Sequence, residues 1–190
     1  MGIGNTTAAS AITAILTGMP AETVTGRGTG IDDTAWRRKV GVVERALAVN
    51  RPDPSDAVDV LTKVGGFEIG GLAGVILAGA SRRVPVVIDG FIATAAALLA
   101  VGLAPAAGEA LFGSHRSAEP GHAHALKHLG LTPYLDLSMR LGEGTGVALF
   151  VHLARAAAHV YTRMATFQSA GVDRPREGGA SRRGDGGLDR

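Results

Sequence analysis

Between residues 34 and 49 the apolar positions Trp36, Val40, Val43 and Leu47 return at helical spacing, with Asp32 or Asp33 placed to cap the segment. The same kind of reading predicts helices over 8–17, capped by Thr6 or Thr7, over 56–64, ending at Gly65-Gly66, and over 67–80, where small residues permit close packing. Two Ala- and Leu-rich stretches, 91–107 and 147–161, read as buried helices. Val84-Pro-Val-Val-Ile88 is the clearest strand, apolar on both faces as a parallel sheet requires; 110–112 is a second, 22–25 a short third, and 131–141 an approach to the sheet edge. Strand, glycine turn and helix recur in this order, which predicts an α/β fold of three layers, a mostly parallel, Rossmann-like sheet covered by helices. The glycine turn at 1–7 normally follows a strand, and none precedes it, so the domain is expected to be truncated at its N-terminus.

Composition narrows the class. The 190 residues suit one domain, expected over 1–172, and with 46% hydrophobic but only 4% aromatic residues the core must be filled by Ala, Val, Leu and Ile. Net charge is +2 and the basic residues are scattered without interleaved aromatics, which argues against nucleic acid and for a small ligand. The absence of cysteine removes disulfides, thiolate chemistry and Cys-based zinc sites, and points to the cytoplasm. The most apolar span, 91–107, is shorter than a membrane crossing, so no membrane partner is expected. Asn5-Thr6-Thr7 matches a glycosylation sequon but no export signal accompanies it. Residues 173–190, rich in Gly, Arg and Asp, are expected to be disordered and to carry no chemistry.

The candidate chemistry centres on Leu141-Gly142-Glu143-Gly144-Thr145-Gly146, one carboxylate among three glycines ahead of an apolar helix. Such a turn lets backbone N–H groups approach an anion, and Glu143 would stand at the mouth of a site made partly apolar by the helix behind it. Gly26-Arg-Gly-Thr-Gly30 is a second glycine cluster, matching neither the dinucleotide fingerprint nor the phosphate loop and readable simply as a turn. Asp89, at the carboxyl end of the 84–88 strand, is either a site residue or a helix cap. In the loop 113–121, His115, Arg116 and Ser117 can reach a phosphate or carboxylate. His124 and His128 share a helix face, but the glutamate of a zinc-protease signature is missing, so these histidines and His115 and His122 read as surface residues rather than metal ligands. Arg37, Arg38 and Lys39 begin a helix and read as a solvated face.

Six separated motifs carry a resemblance: Met1-Gly-Ile-Gly-Asn-Thr-Thr-Ala-Ala, Gly26-Arg-Gly-Thr-Gly-Ile-Asp-Asp, Gly65-Gly-Phe-Glu-Ile, Asp89-Gly-Phe-Ile, Ser114-His-Arg-Ser-Ala-Glu-Pro-Gly-His and Arg140-Leu-Gly-Glu-Gly-Thr-Gly. Together, in collinear order over 1–172, they closely resemble the nicotinate-nucleotide:dimethylbenzimidazole phosphoribosyltransferase family. The resemblance implies transfer of phosphoribose from nicotinate mononucleotide to 5,6-dimethylbenzimidazole, with inversion, giving α-ribazole 5′-phosphate and nicotinate in cobalamin lower-ligand synthesis. It implies Glu143 as the general base, and Gly2, Lys39, Ser117, Arg140 and Leu141 as the substrate-binding set: amide, hydroxyl and ammonium for phosphate, guanidinium for a carboxylate or phosphate oxygen, and Leu141 in the apolar slot for the base. It further implies no metal or other cofactor and a homodimer. Family members are nearly twice as long, so an inactive fragment that acts only as a phosphate-ligand or partner-binding module is the alternative.

Overall fold

The computed structural model describes residues 4–172, so Gly2 and the 173–190 tail lie outside the described residues. The chain divides into two compact units, Met1–Leu153 and Ala154–Arg190.

The first unit opens with α1 (Thr6–Thr17). Its N-cap is Asn5, already helical in backbone and making no side-chain cap, so Thr6 and Thr7, expected as caps, lie inside the helix. One helical turn, α2 (Ala21–Val24), stands where a strand was expected over 22–25. Four residues are too few to display either period, and the turn closes with the Thr25 N–H donating to the Ala21 carbonyl at 3.0 Å. Then α3 (Asp33–Asn50) and α4 (Ala57–Val64) begin at the expected carboxylates. Asp32 accepts from the Ala35 N–H at 2.8 Å, and Asp56 accepts from Val58 and Asp59 at 2.9 and 3.1 Å. Each cap contributes about 1 kcal/mol.

After α5 (Phe67–Ser81), Arg83 adopts a left-handed φ of 55° and the chain enters β1 (Val86–Ile88). This strand is shorter than the expected 84–88 because Pro85 has no N–H for a ladder, and Val84 is exposed rather than buried. Helix α6 (Phe91–Leu103) and a 3₁₀ turn (Pro105–Ala110) carry the chain over to β2 (Leu111–Gly113), parallel to β1 with Val86 opposite Leu111. A second crossover repeats the unit: β3 (His115–Ser117), α7 (Pro120–His128) and β4 (Leu135–Met139), again parallel. The fold is therefore α/β, as the alternation of elements predicts.

The strands form two parallel pairs rather than one wide sheet, yet the pairs abut at Ser114. Its N–H donates to the Ile88 carbonyl at 2.9 Å, and its carbonyl accepts from the Leu135 N–H at 3.0 Å. The chain 111–117 thus runs between β1 and β4. The β3–β4 register slips from His115 opposite Leu135 to Ser117 opposite Met139, and Ser138, at φ 54°, takes up the irregularity.

Helix α6 is the centre of the core: residues 94–100 are all buried, and α5, α1, α4 and α7 pack around it. An alanine-rich helix apolar on every side permits this close approach from several directions. The stretch 147–161, also expected to be buried, behaves otherwise. It lies in α8 (Thr145–Arg163), whose buried residues are Gly146 and Phe150, while Leu149, Val151 and Leu153 are exposed. Composition identified an apolar helix but not a neighbour to cover it. In the second unit, the remainder of α8 ends at Arg163, and Val160, Tyr161, Met164 and Phe167 are exposed.

Candidate active site

Parallel strands present their carboxyl ends along one edge, the usual place for ligands in an open α/β fold. Here Asp89 follows β1, Ala118 and Glu119 follow β3, and Arg140 follows β4. The sequence motifs beginning at Asp89, Ser114 and Arg140 are brought to that edge by topology alone.

A cleft of about 420 Å³ opens there, lined among others by Thr25, Gly26, Gly28, Trp36, Glu119 and Arg140. Its glycine wall is gripped from two sides. The Gly28 N–H donates to Glu119 Oε1 at 2.9 Å, and Lys39 Nζ donates to the Gly26 carbonyl at 3.0 Å and to Thr6 Oγ1 at 2.9 Å. Gly28 is left-handed at φ 55°, which a side chain would resist. Trp36 Nε1 donates to the Thr25 carbonyl at 2.8 Å, and Arg27 lies over the indole ring while pairing with Asp33. Burial pushes the Lys39 ammonium below its usual pKa, and the nearby Glu119 carboxylate opposes that shift. Lys39 keeps donor capacity, since an ammonium carries about three protons and two are used within the protein.

The glycine turn that follows Arg140 is held from β1. Gly142 accepts from the Thr145 N–H at 3.0 Å and from its hydroxyl at 2.7 Å, and the two residues between, Glu143 and Gly144, have φ of 56° and 77°. Positive φ at both central positions is the signature of a type I′ turn, unfavourable for a residue with a side chain. Asp89 supplies the restraint: its Oδ2 accepts from the Gly144 N–H at 3.1 Å and its Oδ1 from Gly146 and Val147 at 3.0 and 3.3 Å. Asp89 is thus a helix cap, but for α8, whose N–H groups it receives 57 and 58 residues onward, and not for α6 directly after it. His115 lies alongside, its Nδ1 3.0 Å from Ser114 Oγ and 3.7 Å from Asp89 Oδ1, with its ring against Gly146.

The residues implied by the resemblance are partly assembled. Arg140 lines the cleft and Lys39 braces its wall from behind. The Ser117 hydroxyl accepts from the Glu119 N–H at 3.3 Å, next to the same wall. Leu141 and Glu143 are exposed and are not among the described residues lining the cleft, so the partly apolar surroundings expected for Glu143 are not supplied by α8. The histidines divide: His115 and His122 are interior residues, correcting the surface reading, while His128 is exposed. The Ser117 N–H donates to His122 Nδ1 at 2.9 Å, leaving Nε2 as the protonated nitrogen in a buried site without a hydrogen-bond partner among the described residues. Burial, and secondarily His115, push this imidazole down to about 4. Glu119 and Thr6 gained their roles only from the structure. A carboxylate before Pro-Gly gives no local hint that its partner is the Gly28 amide, 91 residues away.

Residues 1–172 match the family model described as phosphoribosyltransferase. The chain is 64% identical over 172 residues to the nicotinate-nucleotide–dimethylbenzimidazole phosphoribosyltransferase of Desulforudis audaxviator (strain MP104C), covering 90% of this chain and 49% of the relative. To the protein of the same name from Roseiflexus castenholzii (strain DSM 13941 / HLO8) it is 61% identical over 178 residues, covering 94% and 50%. A crystal structure of CobT from Thermus thermophilus superposes with a TM-score of 0.87 at 52% identity, covering 92% of this chain and 52% of that one. The chain spans about half the length of the curated relatives it matches. With the matched model running across the strand-end cleft and the Gly142–Gly146 turn alike, the chain belongs to the phosphoribosyltransferase family.

Proposed function

We propose that the chain supplies the catalytic turn and part of the nucleotide site of an enzyme that moves phosphoribose from nicotinate mononucleotide to 5,6-dimethylbenzimidazole. The observation that carries the reading is the meeting of three separated motifs in one cleft: Gly26–Gly28, Ala118–Glu119 and Arg140, with Lys39 fastening the first of them. One benzimidazole nitrogen attacks the anomeric carbon and displaces nicotinate from the opposite face. The glycosidic electron pair leaves with the pyridine ring, and Glu143 takes the proton from the other benzimidazole nitrogen. Lys39 and the Ser117 hydroxyl hold phosphate together with the Gly2 amide, Arg140 a carboxylate or phosphate oxygen, and Leu141 one side of the base. The names of the homologues support the substrate pair. A homodimer in the cytoplasm, working without metal or other cofactor, completes the proposal.

The test is formation of α-ribazole 5′-phosphate by the 190-residue chain and by the same chain joined to the part of the Desulforudis relative it does not match. Glu143→Gln should lose most turnover and retain nicotinate mononucleotide. Turnover in neither form, or full turnover by Glu143→Gln, rejects the mechanism; nucleotide binding by a silent chain favours the alternative of a ligand-binding module.

A further inference from the structure

Glu143 occupies a backbone conformation it would not choose. A left-handed φ of 56° on a residue with a long side chain persists only where surrounding contacts over-determine it. Two clamps are present. Inside the turn, Thr145 ties back to the Gly142 carbonyl through N–H and hydroxyl. From outside, Asp89 accepts the Gly144 N–H on one oxygen and the Gly146 and Val147 N–H groups on the other.

The first of these outer contacts matters most, because the Gly144 N–H belongs to the peptide unit that begins with the Glu143 carbonyl. Fixing it fixes the rotation of the backbone from which the Glu143 side chain leaves. Asp89 is itself well placed to act as a fixed point: it leaves the end of β1, its side chain is only 14% exposed, and buried His115 stands 3.7 Å from Oδ1. Being anionic, it also suits the positive end of α8, whose first N–H groups it receives. Gly146 is required there, since a side-chain carbon at that position would overlap the His115 ring.

We infer that Asp89 is a positioning residue for the reaction: it clamps the Gly142–Gly146 turn so that the Glu143 carboxylate is presented at a fixed place and direction. The inference rests on the reading of Glu143 as the base. Asp89 touches no reacting atom in this scheme and acts through Glu143.

Asp89→Ala should lower kcat by about a hundredfold, the effect of roughly 1 Å of misplacement, with KM for nicotinate mononucleotide little changed. Asp89→Asn, which keeps the Oδ1 acceptor but turns an NH₂ towards the Gly144 N–H, should lose less. It should also accelerate amide hydrogen exchange at Gly144 more than at Gly146 and Val147. Because Asp89 works through Glu143, adding Asp89→Ala to Glu143→Gln should cost little more than Glu143→Gln alone. Unchanged kcat in Asp89→Ala, losses that multiply in the double variant, or unaltered exchange at Gly144 in Asp89→Asn would each overturn the inference. Full turnover by Glu143→Gln sinks the functional reading instead; if no form turns over, the exchange measurement on the chain still decides whether Asp89 holds the turn.

Discussion

Glu119 and Gly26 lie far apart in the chain yet meet so closely that a side-chain carbon added at Gly26 would overlap the Glu119 carboxyl. Gly26→Ala must therefore push Glu119 away, and with it the acceptor of the Gly28 N–H. Overpacking of this kind costs about 1–3 kcal/mol. Urea unfolding should show that loss, and Glu119→Ala in the same chain should restore part of it by making room. Two losses that simply add would mean that the contact carries no strain.

Lys39 is predicted to give nucleotide binding an alkaline limit. Burial lowers its pKa in the folded protein, with Glu119 pulling the other way. Since the charged ammonium is the form that attracts phosphate, affinity for nicotinate mononucleotide should be greatest where Lys39 is protonated. It should fall as pH rises through the lowered pKa, before the range of an ordinary lysine near 10.5. Lys39→Arg, charged throughout, should abolish the alkaline fall even though it grips Thr6 and Gly26 less well. Calorimetric titration between neutral and alkaline pH checks this; parallel curves for the two proteins would exclude Lys39 from the phosphate site.

What the sequence made legible is largely what is local. Asp32 and Asp56 as caps and the helices near 34–49, 56–64 and 67–80 all follow from contacts within a few residues. The strand misread at 22–25 failed for the opposite reason: its conformation is decided by packing of α2 on α1 and α7, not by its own side chains. Exposure of α8 was equally illegible, because an apolar face does not say what covers it. In the site, Glu143 and Asp89 were each visible beside glycine, but the bond between their segments spans 55 residues and only the parallel strand order creates it. His122 was misjudged because its place on α7 shows spacing but not which face turns inward.

That buried histidine predicts a specific acid sensitivity. His122 has a folded pKa of about 4, below the ordinary value of 6.5, so the folded protein keeps it neutral while the unfolded chain protonates. Between these values the unfolded state binds the extra proton. The contribution is fully present above pH 6.5 and is lost as pH falls towards 4, at about 1.4 kcal/mol per unit and roughly 3 kcal/mol in all. His122→Asn can still accept from the Ser117 N–H and does not titrate. Its urea midpoint should therefore fall less between about pH 7 and 5 than that of the parent chain; equal falls would mean that His122 is already charged in the fold.

The left-handed backbone of Glu143 predicts that the side chain assigned to catalysis works against stability. At φ 56° any side chain carries a penalty of about 1–2 kcal/mol that glycine escapes. Glu143→Ala and Glu143→Gly both remove the carboxylate, so both should lose turnover to the same extent, yet the glycine variant should be the more stable of the two. For a unit of this size the gap corresponds to roughly 2–4 °C in Tm per kcal/mol, reduced by the extra freedom glycine gives the unfolded chain. The comparison separates shape from chemistry, because Thr145 and Asp89 can still clamp the turn in either variant. If the alanine variant melted at or above the glycine variant, the turn would be free to relax around position 143, and Glu143 would be under no backbone constraint for Asp89 to enforce.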